Sequence, residues 1–350
     1  MQEHNLRGIA CNHERTRLHM SRFQVALVAY EASEVPPWVA RKLAEHDIEF
    51  VFRQCATTAQ AIEFAAEADL IWILGGSRVI TAESLAQLKR CGAIIRSGSG
   101  TDNIPSEEAT RHGIIVVNTP QATSDTVSDH AIALLLSLIR QIPSQDHAIR
   151  RGLWDRQHAW PRWSLSGSTL GLIGLGHIAR AVAQKMSGFE ISRLAFDPFV
   201  NEATMRERNI RKVTLPDVLS QSDFVSIHIP LTNETHHLIG ERELRSMKPN
   251  AILINTSRGP VVDESALVRA LTEGWIGAAG LDVFETEPLP ESHPLTKLPN
   301  VVLTPHCASR SDQLLDNLWR YSVEAVLPLS RRQWPASVVN RKVKPRWQMK

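Results

Sequence analysis

The stretch that decides the fold is Ser168-Thr-Leu-Gly-Leu-Ile-Gly174-Leu-Gly176-His-Ile-Ala179, which continues into Arg-Ala-Val-Ala-Gln-Lys-Met-Ser-Gly188. A short apolar run meets a glycine turn and an amphipathic stretch follows, which predicts a strand, a tight turn and a helix. Gly174 permits the turn, and Gly176 lets the backbone approach a pyrophosphate held at the helix N-terminus. The sequence therefore predicts a dinucleotide-binding site, although such a turn also occurs in other α/β domains.

Asp197 strengthens this interpretation, because it ends the next apolar run, 21 residues after Gly176. A carboxylate at that spacing accepts hydrogen bonds from the ribose hydroxyls of the adenosine. It would repel a 2′-phosphate, and the residues that follow it, Pro-Phe-Val, include no arginine. We therefore predict NAD as the cofactor and regard NADP as the less favoured alternative.

Short β-rich runs alternate with amphipathic stretches on both sides of this motif, which predicts parallel sheets covered by helices on both faces. A long helix is predicted at 123–142 and a closing helix at 311–329. The fold class is α/β, with two Rossmann-like doubly wound parallel-sheet domains. The predicted strands are 23–30, 48–52, 69–74, 93–97 and 114–118 in the first series, and 169–174, 191–197, 223–229, 251–257, 276–284 and 300–306 in the second.

The length predicts a globular protein of two domains, since 350 residues exceed the usual size of one. The chain is 43% hydrophobic and 22% charged, which excludes general disorder. Its formal net charge is only +2, so nothing long-range favours nucleic acid or an anionic membrane as a partner. The longest apolar run, 131–139, is too short for a membrane helix. Residues 1–20 have no strand or helix pattern and are predicted to be a mobile extension.

Cysteine usage predicts a reducing compartment, because the four cysteines form neither a C-x-x-C pair nor a disulfide framework. We therefore expect a cytoplasmic protein. The adjacent His236 and His237 have no further ligand at metal spacing, so no metal site is predicted.

Three polar side chains follow predicted strands of the second series: Arg258, Glu287 and His306. Ligands of open α/β sheets bind beyond the carboxyl ends of the strands. Arg258 can grip a carboxylate with two N–H groups, His306 can exchange a proton near neutral pH, and Glu287 can orient and charge the imidazole. Taken singly, each has an ordinary structural explanation as a surface ion pair, a turn residue or a helix cap. Their joint occurrence predicts a catalytic set.

With these motifs, the chain resembles the D-isomer-specific 2-hydroxyacid dehydrogenase family over nearly all of residues 23–330. The RSGSGTDNI segment and the Val-Val-Asn of the tail (338–340) are most similar to the branch of the C-terminal-binding-protein corepressors and phosphoglycerate dehydrogenases. The matching segments are RSGSGTDNI (96–104), VVNTP (116–120), TVSDHAIALLLSLIR (126–140), TLGLIGLGHIA (169–179), NTSRGPVVDE (255–264), GLDVFETEP (280–288) and LTPH (303–306).

The resemblance implies a discontinuous substrate-binding domain, made of residues 21–121 and 307–350, around an NAD-binding domain at 122–306. It assigns catalysis to Arg258, Glu287 and His306. It implies substrate contacts at Gly75, Gly76, Arg96 and Arg258, and cofactor contacts at Ser99, Gly174, Gly176, His177, Ile178, Asp197, Ile229, Thr256, Arg258 and Asp282. Ser309 stands where the corepressor branch has a tryptophan, which speaks against that branch's bulky substrates.

The resulting hypothesis is reversible hydride transfer between NADH and C2 of a 2-oxo acid, giving a D-2-hydroxy acid. One alternative is an NAD(H)-sensing dimeric scaffold in which catalysis is secondary. Another is oxidation of formate or phosphite, against which Glu287 argues, because formate dehydrogenases of this fold have glutamine there. The predicted helix at 123–142 is apolar on more than one face, so we also expect a homodimer.

Overall fold

The computed structural model describes residues 22–30, 34–154, 156 and 164–350. The extension predicted at 1–20 lies outside the described residues. Two parallel sheets dominate the architecture, and the α/β class with two doubly wound sheets is confirmed.

The first sheet has five parallel strands in the order β2-β1-β3-β4-β5. Because the order reverses at β1, helices cover both faces of the sheet. The strands are β1 (Phe23–Tyr30), β2 (Ile48–Phe52), β3 (Leu70–Leu74), β4 (Ala93–Ser97) and β5 (Ile115–Asn118). The helices between them are α1 (Pro37–Ala44), α2 (Thr58–Phe64), α3 (Ala82–Leu85) and α4 (Ser106–Arg111).

The second sheet has seven strands in the order β12-β11-β10-β9-β6-β7-β8, with its reversal between β6 and β9. The short β8 was absent from the predicted strands, because two residues leave no periodic pattern. The strands are β6 (Thr169–Ile173), β7 (Ser192–Phe196), β8 (Arg211–Lys212), β9 (Phe224–Ile227), β10 (Ile252–Asn255), β11 (Ala278–Leu281) and β12 (Val301–Leu303). The helices are α7 (His177–Lys185), α8 (Glu202–Arg206), α9 (Leu215–Gln221), α10 (Glu241–Ser246) and α11 (Glu264–Thr272).

The long helix predicted at 123–142 is present as α5 (Gln121–Arg140), and a second helix, α6 (Ile142–Arg150), follows it directly. Gln141 between them has a left-handed backbone, with φ of 53°, which ends the first helix and turns the chain. The helix α6 was absent from the predicted elements. The apolar residues of α5 pack against the second sheet and α7, and α5 also contacts α12 (Leu314–Ser330).

The chain returns to the first sheet at its C-terminal end. Trp319 of α12 is buried edge-on against Trp72 of β3, with ring centroids 5.3 Å apart. The Trp72 indole N–H donates to the Ser97 hydroxyl, which bonds that of Ser322 in α12 at 2.7 Å. The first sheet is therefore covered in part by a helix from the other end of the chain.

The tail after α12 lies along the edge strand β5. The backbone N–H of Val339 donates to the carbonyl of Val116, and the Asn340 side chain accepts from the N–H of Val116 and donates to the carbonyl of Ile114. These bonds occupy backbone groups that an exposed edge would leave unpaired.

Replacing Trp319 with alanine tests how strongly α12 belongs to the first sheet. We expect Trp319→Ala to lower the free energy of unfolding by about 3–5 kcal/mol, because it leaves a large cavity between α12 and β3. Urea unfolding followed by circular dichroism measures the change. The exposed Trp334 provides the matched control, and Trp334→Ala should cost less than about 1 kcal/mol. Equal losses for the two variants would contradict this packing.

Candidate active site

The glycine turn after β6 has the geometry that a bound pyrophosphate requires. Gly174 has φ of 86°, and a Cβ atom there would lie 2.7 Å from Cγ2 of Ile229 and 2.8 Å from the carbonyl oxygen of His228. Only glycine fits such a position. A Cβ on Gly176 would meet no atom within 4 Å, so the backbone that begins α7 is open to a ligand.

Three predicted or buried side chains lie on the two sides of this turn. His177 is exposed and Ile178 is half-buried, both in the first turn of α7. Behind the turn, burial lowers the pKa of His228 to about 4. Its imidazole is therefore neutral at pH 7 and bonds the Ser226 hydroxyl at 2.9 Å.

Asp197 is fixed against the same turn. Its Oδ2 accepts the backbone N–H of Leu175 at 2.8 Å, and its Oδ1 accepts that of Phe199 at 2.8 Å. Each carboxylate oxygen can accept a further bond. The carboxylate therefore stands beside the open glycine, where ribose hydroxyls can reach it.

Other predicted cofactor residues lie at the ends of neighbouring strands or on the adjoining loop. Thr256, after β10, has a buried hydroxyl that finds no partner among the described residues. Buried polar atoms are normally hydrogen-bonded, so this hydroxyl indicates a ligand. Ser99 bonds the hydroxyl of Thr123 at 2.8 Å. With the open glycine and the placed acid, these groups fit a nicotinamide dinucleotide.

Asp282 is buried and holds the segment after β12 in place. Its carboxylate accepts hydrogen bonds from the Thr304 hydroxyl at 2.6 Å and from the backbone N–H groups of Cys307 and Ala308 at 2.9 Å. Its backbone carbonyl accepts from the N–H of His306 at 2.8 Å. His306 takes a left-handed conformation, with φ of 48°, which few residues other than glycine adopt. The segment is thus bent to present the imidazole.

His306 and Glu287 form a direct pair. Nδ1 of His306 lies 2.7 Å from Oε2 of Glu287, whose Oε1 accepts the backbone N–H of Phe284 at 3.1 Å. Because the pair uses Nδ1, Nε2 is the ring nitrogen left for a proton exchange with substrate. A cleft of about 570 Å³ opens beside them, with apolar walls that include Leu289 and Leu303.

Arg258 follows β10 on a loop that packs on the glutamate segment. A Cβ atom on Gly259 would lie 1.9 Å from the carbonyl carbon of Phe284, so only glycine lets the two loops meet. The Arg258 side chain crosses to the first sheet, where Nε and Nη2 both donate to Oδ1 of Asp102, at 2.9 and 2.7 Å. Packing through Phe284 thus places the loops that carry the arginine, the acid and the histidine side by side.

Apart from Arg258, the predicted substrate residues lie on or beside the first sheet. Gly75 has φ of 114° in the loop after β3, next to the exposed Gly76. The Asn103 amide donates to the carbonyls of Ser77 and Gly75, at 2.7 and 3.4 Å, and fixes this loop. Arg96, on β4, donates from Nη1 to the carbonyl of Ser97.

Two functional candidates were missed from the sequence, Asp102 and Asn103. Both lie within the quoted 96–104 segment, but their partners are distant along the chain. Arg258 lies 156 positions after Asp102. The available signal was a pair of polar residues, Asp102 and Asn103, soon after a β-strand, and it gave no indication of which residues they contact.

Within the described residues, one group has metal-ligand chemistry: His130, Asp282 and Cys307, whose ligand atoms lie within 4.8 Å of one another. The Asp282 oxygens already accept three hydrogen bonds, and burial, followed by the charge of Asp282, raises the pKa of the Cys307 thiol. A neutral thiol is a poor ligand. His237, from the adjacent histidine pair, contacts Glu285 instead, with Nε2 to Oε1 at 2.8 Å.

Comparison with known proteins places this site in a family. The profile described as "D-isomer specific 2-hydroxyacid dehydrogenase, NAD binding domain" matches residues 132–308. A glyoxylate reductase of Korarchaeum cryptofilum is 44% identical over 269 residues, which cover 75% of this chain and 80% of that protein. The chain belongs to the D-isomer-specific 2-hydroxyacid dehydrogenase family. It is an NAD(P)-dependent oxidoreductase acting on the CH–OH group of 2-hydroxy acids.

Solved structures agree with this assignment. A glyoxylate reductase from Paecilomyes thermophila aligns with a TM-score of 0.82 at 26% identity, over 92% of this dehydrogenase and all of that chain. An NADPH-dependent glyoxylate/hydroxypyruvate reductase from Sinorhizobium meliloti, in complex with NADP and malonate, aligns with a TM-score of 0.76 at 30% identity, over 94% and 100% of the two chains. In the part of the dehydrogenase that the structure describes, every helix is too short or too polar to cross a bilayer.

Proposed function

We propose that this dehydrogenase reduces a short 2-oxo acid to the D-2-hydroxy acid with NADH, in a reversible reaction. The observation that carries the proposal is the 2.7 Å pair of His306 and Glu287, at the same sheet edge as Arg258 and the nucleotide turn. Glyoxylate and hydroxypyruvate are the first substrates to test, because similar proteins are named as reductases of these acids.

Each residue of the catalytic set has a distinct task. Bound NADH supplies the hydride that C2 of the substrate accepts. Arg258 binds the substrate carboxylate and polarises the carbonyl. His306 donates its Nε2 proton to the carbonyl oxygen as that oxygen gains charge, and Glu287 holds the ring through Nδ1 and stabilises the charged imidazolium.

The substrate-binding part comprises residues 21–121 and 307–350, and the NAD-binding part residues 122–306. Gly75, Gly76 and Arg96 then face the catalytic set from the first sheet. The two parts form a cleft that excludes water from the reaction.

Replacing His306 tests the reaction directly. We expect His306→Ala to lower kcat by about 10²–10⁴ with glyoxylate, because it removes the general acid, while the Kd of NADH, from protein fluorescence, stays within twofold. His46→Ala, remote from the sheet edge, is the control. Unchanged turnover in His306→Ala would refute this mechanism. If the wild-type protein binds NADH tightly but turns over no acid in a panel of 2-oxo acids, the scaffold alternative would be favoured.

Asp197 supports NADH over NADPH, because its fixed carboxylate would repel a 2′-phosphate. We expect wild-type kcat/KM to be higher with NADH, and Asp197→Ala to raise the KM for NADH roughly 10- to 100-fold, the usual cost of losing a hydrogen bond to a charged group. The same change should lower the ratio of kcat/KM with NADH to kcat/KM with NADPH. Glu207→Ala, an exposed acid of the same domain, should leave the ratio unchanged. A wild-type enzyme that uses both cofactors equally would contradict this assignment.

A homodimer remains part of the proposal, but its surface moves from α5 to α6. Most apolar side chains of α5 are buried within this chain, Leu134, Leu135, Leu138 and Ile139 among them. The exposed apolar residues are Ile142, Ile149, Leu153 and Trp154, on and just after α6. Exposed apolar side chains so close together along the chain favour association.

Light scattering after size-exclusion chromatography tests the dimer. At micromolar concentration we expect a mass of twice 39.1 kDa for the wild type and a shift to the monomer for Ile149→Glu combined with Trp154→Glu. Phe199→Glu, an exposed aromatic elsewhere, should remain dimeric. A monomeric wild type would refute the dimer.

We keep the cytoplasm as the proposed compartment, since the three described cysteines are all unpaired.

A further inference from the structure

The contact between Arg258 and Asp102 does more than neutralise two charges. A guanidinium has five N–H donors. Three of the Arg258 donors are used within the described residues: Nε–H and one Nη2–H go to Oδ1 of Asp102, and one Nη1–H goes to the carbonyl of Ser257 at 2.7 Å. One N–H on each Nη is left, and these two can bind a carboxylate in two-pronged fashion.

A glycine, Gly100, leaves the room that this contact needs. A Cβ atom on Gly100 would lie 1.7 Å from Nη2 of Arg258 and 3.1 Å from Oδ1 of Asp102. Any side chain at this position would expel the guanidinium from its place. The glycine therefore opens the space in which Asp102 meets Arg258.

The carboxylate is held on a fixed loop. Its neighbour Asn103 is buried and hydrogen-bonds the carbonyls of Gly75 and Ser77. The Asp102 side chain is 34% exposed and that of Arg258 24% exposed, so the pair is partly shielded from water. The Asp102 loop thus joins the loop after β3 to the arginine loop of the other sheet.

Other charges around the pair keep Asp102 ionised. Burial pushes its pKa upward, but the charge and hydrogen bonds of Arg258, with a smaller effect of Arg96, outweigh burial and hold the pKa below its usual value. Arg78 adds a weaker contact, with Nη2 3.9 Å from Oδ2. The carboxylate therefore stays charged throughout the neutral range.

We propose that Asp102 is a positioning residue, which holds the guanidinium of Arg258 across the cleft and leaves its two remaining Nη donors for the substrate carboxylate. The inference rests on the proposed function, because it gives Arg258 the carboxylate-binding role. It assigns Asp102 a part in substrate binding that does not require contact with substrate. The opposite possibility is that Asp102 competes with substrate for Arg258, and the two predict opposite effects on anion binding.

Asp102→Asn separates these possibilities, because asparagine keeps the size and removes the charge. We expect the Kd of oxamate, an unreactive 2-oxo acid analogue, to rise about 10- to 100-fold in the NADH complex. The KM for glyoxylate should rise similarly, with kcat changed less. The Kd of NADH should stay within twofold, which also shows that the variant is folded. If Asp102 merely competed with substrate, oxamate would bind more tightly, and that result would overturn the proposal.

Further variants distinguish positioning from a general structural role. Asp102→Glu should recover part of the lost oxamate affinity, because it restores the charge, although it changes the volume more than asparagine does. Asp102→Asn should add little in an Arg258→Lys background, since both changes break one unit. Asp47→Asn removes the charge from a remote surface pair with Arg22 and should change nothing. The positioning role would be overturned if the losses of oxamate affinity in Asp102→Asn and Arg258→Lys were additive, or if Asp102→Glu recovered none of the affinity.

The pH dependence gives a separate readout. The ratio of kcat/KM between wild type and Asp102→Asn should be constant from pH 6 to 9, because Asp102 is ionised throughout. A ratio that varies with pH would contradict the proposal. A wild type that neither reduces any 2-oxo acid nor binds oxamate would overturn the proposed function and this role together. Normal wild-type turnover with an unaffected Asp102→Asn would overturn only the role of Asp102.

Discussion

All strands of each sheet run in one direction, and this constraint decides where chemistry can occur. Parallel strands end at one edge, so residues far apart in sequence become neighbours there. In the second sheet this edge carries the glycine turn after β6, Thr256 after β10, Asp282 after β11 and His306 after β12. The catalytic residues need no long-range recognition of their own, because the sheet order brings their strand ends together.

Close backbone contact refines this arrangement. The sheet alone would leave the ends of β10 and β12 two strands apart, about 10 Å. Gly259 lets the arginine loop rest on the backbone of Phe284, in the segment after the intervening strand β11, and the Phe284 N–H in turn fixes Glu287. One missing side chain thereby couples the arginine to the acid that holds His306.

Much of this was predictable from the sequence, and the reasons are local. Strands β1, β2 and β4 begin and end at the predicted residues, because short β-rich apolar runs leave a clear pattern. The nucleotide turn and Asp197 follow from spacing within one strand–helix–strand unit. The catalytic roles of Arg258, Glu287 and His306 stay predictions, although the structure does bring Glu287 and His306 into contact.

The features missed depend on distant or weakly marked residues. The helix α6, which follows the left-handed Gln141 at the end of α5, was not predicted, since none of its residues is buried and no core-facing stripe marks it. Asp102 sits in a segment whose similarity was evident, but its partner lies in the other sheet, and residue spacing carries no information about such a pair. Sequence patterns describe elements well and contacts between elements poorly.

The return of α12 to the first sheet has a consequence for synthesis on the ribosome. The 132–308 unit is contiguous and is complete before α12 has been made. The β1–β5 sheet is translated before this unit, whereas Trp319, Val326 and Leu329, which cover part of one of its faces, are translated after it. That apolar face of the sheet therefore stays uncovered while the nucleotide-binding unit is being made.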